Sequence, residues 1–194
     1  MELIAEGAEA KIYLIENKLR KIRIEKNYRI KEIDEKLRKK RNKREFKVYS
    51  KLYENGVNVP KPIELNEREF YFDFEYIKGS ILKNTINETK IENAFKQIIK
   101  IHNLDIIHGD LTTLNMIDSD SKIYIIDFGL SEFTYKVEDK AVDLNLFFNC
   151  IKNEHPNLYK AKSKLEELYL NKANNSKNVI DRLNQIEKRG RNKN

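Results

Sequence analysis

His108-Gly109-Asp110-Leu111-Thr112-Thr113-Leu114-Asn115, followed by Ile126-Asp127-Phe128-Gly129, is the stretch whose reading decides the fold. Between its two parts lie Met116-Ile117 and Ile123 to Ile126, short β-forming pieces joined by Asp118-Ser119-Asp120-Ser121, a typical hairpin turn. The hairpin returns Asp127 to the loop that carries Asp110 and Asn115, so three oxygen-bearing side chains converge. Phosphoryl transfer needs such a set: a carboxylate to orient the nucleophile or accept its proton, and hard oxygen ligands for Mg²⁺ beside the phosphates. The glycine after Phe128 is expected to allow the backbone turn that aims Asp127 at a metal.

Upstream, Glu2 to Ile24 reads as short extended pieces around a small-residue loop, Glu6-Gly7-Ala8-Glu9-Ala10, and a turn at Glu16-Asn17-Lys18. In Leu19 to Ile24 the alternation puts Ile22 and Ile24 on one face and Leu19 with Lys21 on the other, so Lys21 points where Leu19 points. From about Tyr28 to Tyr53 there is no Gly or Pro and the composition favours a helix. Its run Lys36 to Lys47 is heavily basic, read either as a solvated face or as a patch for nucleic acid or an acidic partner. Glu45, Val48, Tyr49 and Leu52 are spaced i, i+3, i+4, i+7, so a carboxylate starts an apolar stripe. It either reaches water at the stripe's edge or faces the core against a cation, for which Lys21 is the candidate. Gly56 ends the helix, Pro60 and Pro62 mark an extended crossing, and Ile63 to Leu65 and Glu69 to Glu75 read as strands. Gly79 closes this half.

The second half reads as mainly helical, with helices expected over Ile91 to Ile101, Asp143 to Ile151, Leu158 to Tyr169 and Val179 to Ile186, and a mobile basic tail from Glu187 to Asn194. The whole is 194 residues with 38 Lys+Arg against 31 Asp+Glu, a net charge of +7. The 10 Tyr and 9 Phe argue against disorder despite the charge. No apolar run approaches the roughly 18 residues that span a bilayer, and no signal peptide is evident. One cysteine, Cys150, cannot form an internal disulfide and fits a reducing cytoplasm; it reads as a small buried apolar residue. No membrane and no disulfide-linked partner are expected. His102 reads as a structural histidine bracing the loop at 108–115.

At this point the sequence resembles the protein-kinase superfamily, in which a catalytic loop H-R-D, four residues and N precedes D-F-G. The spacing from Asp110 to Asn115 and the Asp127-Phe128-Gly129 triplet match. Gly109 departs from the usual Arg, which implies that activation through a phosphate on that Arg is not used. The one-glycine loop Glu6–Ala10, the His-Gly-Asp-Leu-Thr-Thr-x-Asn order, Asp-Phe-Gly-Leu-Ser, the stretch Glu138-Asp139-Lys140-Ala141-Val142-Asp143-Leu144 and the basic finish Lys188-Arg189-Gly190-Arg191 together resemble a narrower family, the small atypical Ser/Thr kinase or ATPase of the archaeal and eukaryotic KEOPS complex, related to RIO-type kinases.

That resemblance implies an α+β, minimal bilobed protein-kinase-like fold: an N-lobe over 1–79, with an antiparallel sheet and one main helix, and a reduced, mainly helical C-lobe over 80–194. It implies ATP and Mg²⁺ as cofactors, with Mn²⁺ as a substitute. By correspondence, Lys21 would anchor the phosphates, Glu45 would hold Lys21, Asp110 would orient the attacking hydroxyl or water, and Asn115 and Asp127 would ligate the metal. Glu6, Gly7, Ala8, Glu9 and Ala10 would line the phosphates. Glu9 is either a solvent-facing loop residue or in contact with the catalytic groups. Phe74 would line the adenine pocket, with the backbone of Glu75 and Ile77 at the base edge. Asp143 is either a helix cap or the holder of the catalytic-loop backbone. The implied partners are the threonylcarbamoyl-transferase subunit and other KEOPS subunits, and tRNA, directly or through the complex. With no Ala-Pro-Glu after Asp127, ATP hydrolysis or autophosphorylation is expected over broad protein phosphorylation. A small-molecule phosphotransferase of the aminoglycoside or choline kinase type, and a pseudokinase scaffold, are the alternatives.

Overall fold

The computed structural model describes residues 1–191, and the chain divides into two compact units, Met1–Lys78 and Gly79 onward.

The N-terminal unit is built on β1 (Glu2–Glu6), β2 (Ala10–Ile15), β3 (Lys18–Arg23), β4 (Pro62–Asn66) and β5 (Tyr71–Glu75), paired in the order β1-β2-β3-β5-β4. Every pairing in this sheet is antiparallel. The central strand β3 sets Lys21 opposite Ile12 on one side and opposite Phe72 on the other. A single helix, α1 (Lys31–Glu54), packs on the sheet. Its C-terminal half docks through Val48, Tyr49 and Leu52, all buried, against an aromatic cluster in which Tyr49 stacks on Phe74 at 5.8 Å and Phe74 meets Phe72 at 5.5 Å. Its N-terminal half docks differently. The buried residues before Val48 are Asp34, Asn42 and Glu45, so the inward face changes from polar to apolar along the helix. This explains why the apolar stripe begins only at Glu45.

The second unit opens with β6 (Ser80–Ile81), which pairs with β8 (Met116–Ser119) beside β9 (Lys122–Ile125) in a three-stranded sheet. Between them run α2 (Glu88–Asn103), capped by the Asn87 side chain accepting from Lys90 N–H at 2.9 Å, and the two-residue strand β7 (Ile106–Ile107). β7 pairs with β10 (Glu132–Phe133), a pairing too short for local periodicity to signal. Then come α3 (Val137–Glu154), a 3-10 turn over Pro156–Ala161, α4 (Lys162–Lys172) and α5 (Ser176–Arg191). Phe95 of α2, Phe147 and Phe148 of α3 and Tyr169 of α4 form the centre of this unit's core. The tail expected to be mobile from Glu187 is helical through Arg191, and Glu187 pairs with Lys162 at 3.0 Å; residues 192–194 lie outside the described residues. No helix among the described residues is long and apolar enough to cross a membrane.

Candidate active site

In the N-terminal unit, Lys21 Nζ donates to Glu45 Oε1 at 2.7 Å, and both groups are buried. The sequence reading missed the second cation. Arg23 Nη2 donates to the other carboxylate oxygen, Oε2, at 2.5 Å, and its Nε donates to Asn42 Oδ1 at 3.2 Å. The signal was present, because a residue two positions after Lys21 in a strand shares its face.

The loop Glu6–Ala10 turns between β1 and β2, closed by Gly7 N–H donating to Ala10 O at 2.9 Å. Glu9 is paired with Arg41 of α1 and lies 3.7 Å from Arg29, with its side chain still partly open to solvent. Its carbonyl accepts from Ile24 N–H at 3.1 Å, and Lys26 donates to Ala8 O. The loop is therefore tied from outside by cations. A Cβ at Gly7 would meet only Ala10 O at 3.8 Å, so the protein's own packing does not demand glycine there. Phe74 lies in the aromatic core, and Glu75 N–H already donates to Lys61 O at 2.9 Å, leaving its carbonyl as the group that could meet a base edge.

Part of the basic run in α1 is also internal. Arg38 holds Asp34 at 2.7 Å, as does Arg29 at 3.3 Å. Lys36, Lys40, Lys43 and Lys47 face outward, recurring four and three residues apart on one side of the helix.

In the second unit, the loop from His108 to Asn115 is held by its backbone. Asp143, inside α3 and not at its cap, accepts from His108 N–H through Oδ2 at 2.8 Å and from Gly109 N–H through Oδ1 at 2.9 Å. Its Oδ2 is also 3.2 Å from His102 Nε2, while His102 Nδ1 is 2.9 Å from the Tyr169 hydroxyl. A carboxylate only accepts, so His102 donates from Nε2, and Nδ1 accepts from Tyr169. Burial pushes the Asp143 carboxyl up, but the hydrogen bonds from the His102 ring and the His108 backbone N–H outweigh it, holding the group below its ordinary range. The same burial, with Asp143 nearby, raises the Tyr169 hydroxyl.

His108 joins the loop to the strand that precedes Asp127. Its Nε2 donates to Ile126 O at 2.9 Å and its Nδ1 accepts from Asp110 N–H at 3.2 Å, with the ring packed on Phe128 at 4.7 Å. Asn115 Nδ2 donates to both the backbone and the carboxylate of Asp110 at 2.9 Å, and Asn115 O accepts from Ile126 N–H at 2.9 Å. Asp110, Asn115 and Asp127 are thus positioned by one continuous network. The amide oxygen of Asn115 and the carboxylate of Asp127 are the hard donors that could hold a metal.

The backbone turn at Asp127 is not supplied by Gly129, as the sequence suggested. Asp127 itself adopts φ 60°, a left-handed conformation that costs a non-glycine residue energy, and Gly129 N–H donates back to Asp127 Oδ1 at 3.3 Å. The glycine that matters is Gly109, at φ +82°, where a Cβ would lie 2.5 Å from Leu130 O. No arginine fits at this position unless the segment after Phe128 moves. That segment is itself fastened: Ser131 Oγ donates to Phe128 O at 2.6 Å, Thr134 N–H to Asp105 O at 2.8 Å, and Thr134 Oγ1 to Asp139 Oδ2 at 2.6 Å. Cys150 is half-buried and not a purely apolar filler, since Thr113 N–H of the same loop points to its Sγ at 3.5 Å.

Comparison with known proteins agrees with this layout. A family model described as the RIO domain matches residues 10–142. The chain is 42% identical over 172 residues to KEOPS complex subunit Bud32 of Pyrococcus abyssi, covering 80% of this chain and 78% of that protein. It is 39% identical over 185 residues to a probable serine/threonine-protein kinase BUD32 homolog of Archaeoglobus fulgidus, covering 95% and 93%. It is also 35% identical to a probable bifunctional tRNA threonylcarbamoyladenosine biosynthesis protein of Methanosarcina mazei, spanning 98% of this chain but 35% of that one. Among solved structures, the Rio2 kinase–ADP/Mg²⁺–phosphoaspartate complex of Chaetomium thermophilum superposes with a TM-score of 0.66 at 17% identity, covering 79% of this chain and 56% of that one. At that identity the likeness establishes the kinase-like fold and nothing finer.

Proposed function

Because the chain belongs to the RIO-domain family, and to the group of its Bud32-type relatives, we propose that it binds ATP with Mg²⁺ and transfers or hydrolyses the terminal phosphoryl group in support of threonylcarbamoyladenosine formation in tRNA. The observation that carries the chemistry is the bonded set Asp110–Asn115–Ile126, which fixes a carboxylate beside an amide and delivers Asp127 next to them. Lys21 would hold the α and β phosphates while Glu45 keeps it oriented, and Asp110 would orient the attacking hydroxyl or water. The fit to Mg²⁺ rests on donor chemistry: one amide oxygen and one carboxylate are what this ion takes from protein when phosphates and water complete its shell. When bound, the ion supplies neutralisation of phosphate charge. Gly7, which packing does not require, would let the loop backbone approach the phosphates.

ATP hydrolysis within an assembly is favoured over broad protein phosphorylation because Leu130 to Lys136 is committed to bonds with Phe128, Asp105 and α3, leaving little backbone to dock a peptide. The assembly would be that named for the relatives, with their KEOPS partners. Its RNA would meet the outward lysines of α1. Asp127→Ala should abolish Mg²⁺-dependent ATP turnover in a chain that keeps its fold by circular dichroism, and unchanged turnover would remove the site assignment. For RNA, replacing Lys36 and Lys40 by Gln should weaken tRNA binding and flatten its dependence on salt by about one unit of log–log slope per lysine. An unaltered slope would take α1 out of the interface.

A further inference from the structure

Tyr169 of α4, His102 of α2 and Asp143 of α3 form a polar line inside the core of the second unit, exposed by only 0%, 1% and 2%. The Tyr169 ring packs edge-on against His102 at 5.9 Å and beside Phe95 at 6.2 Å, so packing explains its body. It does not explain the hydroxyl, whose burial is costly unless its proton finds an acceptor. Among the described residues the one polar partner of that hydroxyl is His102 Nδ1 at 2.9 Å. The phenol proton therefore goes to an unprotonated Nδ1, and the imidazole proton sits on Nε2, 3.2 Å from Asp143 Oδ2. An imidazolium, with protons on both nitrogens, would leave the phenol O–H facing no acceptor among these residues.

Asp143 Oδ2 also takes the His108 N–H at 2.8 Å, while Oδ1 takes the Gly109 N–H at 2.9 Å. His108 Nδ1 then accepts from Asp110 N–H at 3.2 Å, so an unbroken chain of hydrogen bonds leads from Tyr169 to the backbone of Asp110. With the opposite tautomer of His102, the Nε2 lone pair would face the carboxylate and push Asp143 off the loop amides. We infer that Tyr169 is a positioning residue for the loop from His108 to Asn115: its hydroxyl holds His102 in the tautomer that donates to Asp143, and Asp143 in turn holds the loop. The inference rests on the phosphoryl-transfer reading above and gives Tyr169 no contact with the nucleotide. It also gives α4, which lies beyond residues 10–142 matched by the RIO domain, a part in the chemistry besides completing the core.

The test combines nitrogen–proton NMR spectra of the histidine rings near neutral pH with kcat for MgATP hydrolysis and thermal melting, all on the full chain. The His102 signal, identified by its loss in His102→Gln, should show a neutral ring protonated at Nε2 in the wild type. Tyr169→Phe keeps the ring contacts and removes only the hydroxyl. It should lose that signature, and kcat should fall roughly fivefold, the scale of one neutral hydrogen bond. A Tyr169 that only packs would change neither. His102→Gln keeps an N–H donor toward Asp143 but has no Nδ1, so adding Tyr169→Phe to it should change kcat by less than about twofold. The double variant leaves neither an unpaired Nδ1 nor an unpaired hydroxyl, which keeps the comparison decisive should Tyr169→Phe alone fail to fold. Three results would each overturn the inference and leave the phosphoryl-transfer reading standing: a wild-type His102 protonated at Nδ1 or at both nitrogens, equal kcat in wild type and Tyr169→Phe, or an undiminished effect of Tyr169→Phe in the His102→Gln background. Absence of turnover by the wild type overturns both.

Discussion

Two buried carboxylates organise the two units in opposite ways. Glu45 accepts from cationic side chains, Lys21 and Arg23, whereas Asp143 accepts from backbone N–H groups of His108 and Gly109 and from His102. Side-chain partners can shift toward an arriving anion, while backbone partners fix a loop's shape before anything arrives. The first arrangement suits a group proposed to meet phosphate, and the second suits a loop proposed to present Asp110 and Asn115 in one geometry. Preorganisation of that kind removes reorganisation at the moment of reaction.

The contrast can be broken by mutation. The largest effect is expected from Asp143→Ala, which leaves two buried backbone donors and His102 without their acceptor. It should cost about 4 kcal/mol in denaturant unfolding, and a loss below about 1 kcal/mol would mean that the loop does not depend on it. Glu45→Gln keeps the volume and one acceptor, and should cost less, about 2–3 kcal/mol, while MgATP turnover falls with it. Turnover kept at the wild-type level would undo the distinction between the two carboxylates. The smallest effect is in the pH dependence. Because the folded state depresses Asp143 below its ordinary value, its contribution is fully present above the unfolded aspartate range near pH 4 and is lost as pH falls through the lower folded value. Stability of the wild type should therefore drop faster below about pH 4 than that of Asp143→Asn, as measured by urea midpoints at several pH values.

Much of this was legible in the sequence because it is local. The order and spacing of Asp110, Asn115 and Asp127 reflect one loop and one hairpin, and Lys21 and Glu45 follow from strand alternation and helix period. The misses share a physical cause. Arg23 and Asn42 are polar residues on faces read for apolar ones, and their burial is offset by tertiary ion pairing that no local period displays. Glu9 finds Arg41 across the unit, and Arg38 turns to the buried Asp34 within a run that reads either as a solvated face or as a patch for a partner. The tail from Glu187 lacks the apolar residues that signal a helix, yet it continues a helix anchored earlier by Val179, Ile180 and Leu183. At Asp127 the left-handed backbone lies on the candidate metal ligand itself, whereas the sequence pointed to the glycine two residues on.

The central claim is that the network around Asp110 is a working phosphoryl-transfer centre. Its most direct test is ATP turnover by the wild type and by Asp110→Asn as Mg²⁺ is titrated, with the fold of each checked by thermal melting. The account predicts turnover that requires Mg²⁺, vanishes with EDTA and falls at least ~100-fold in Asp110→Asn. Turnover indifferent to Mg²⁺, or equal in the two proteins, would contradict it.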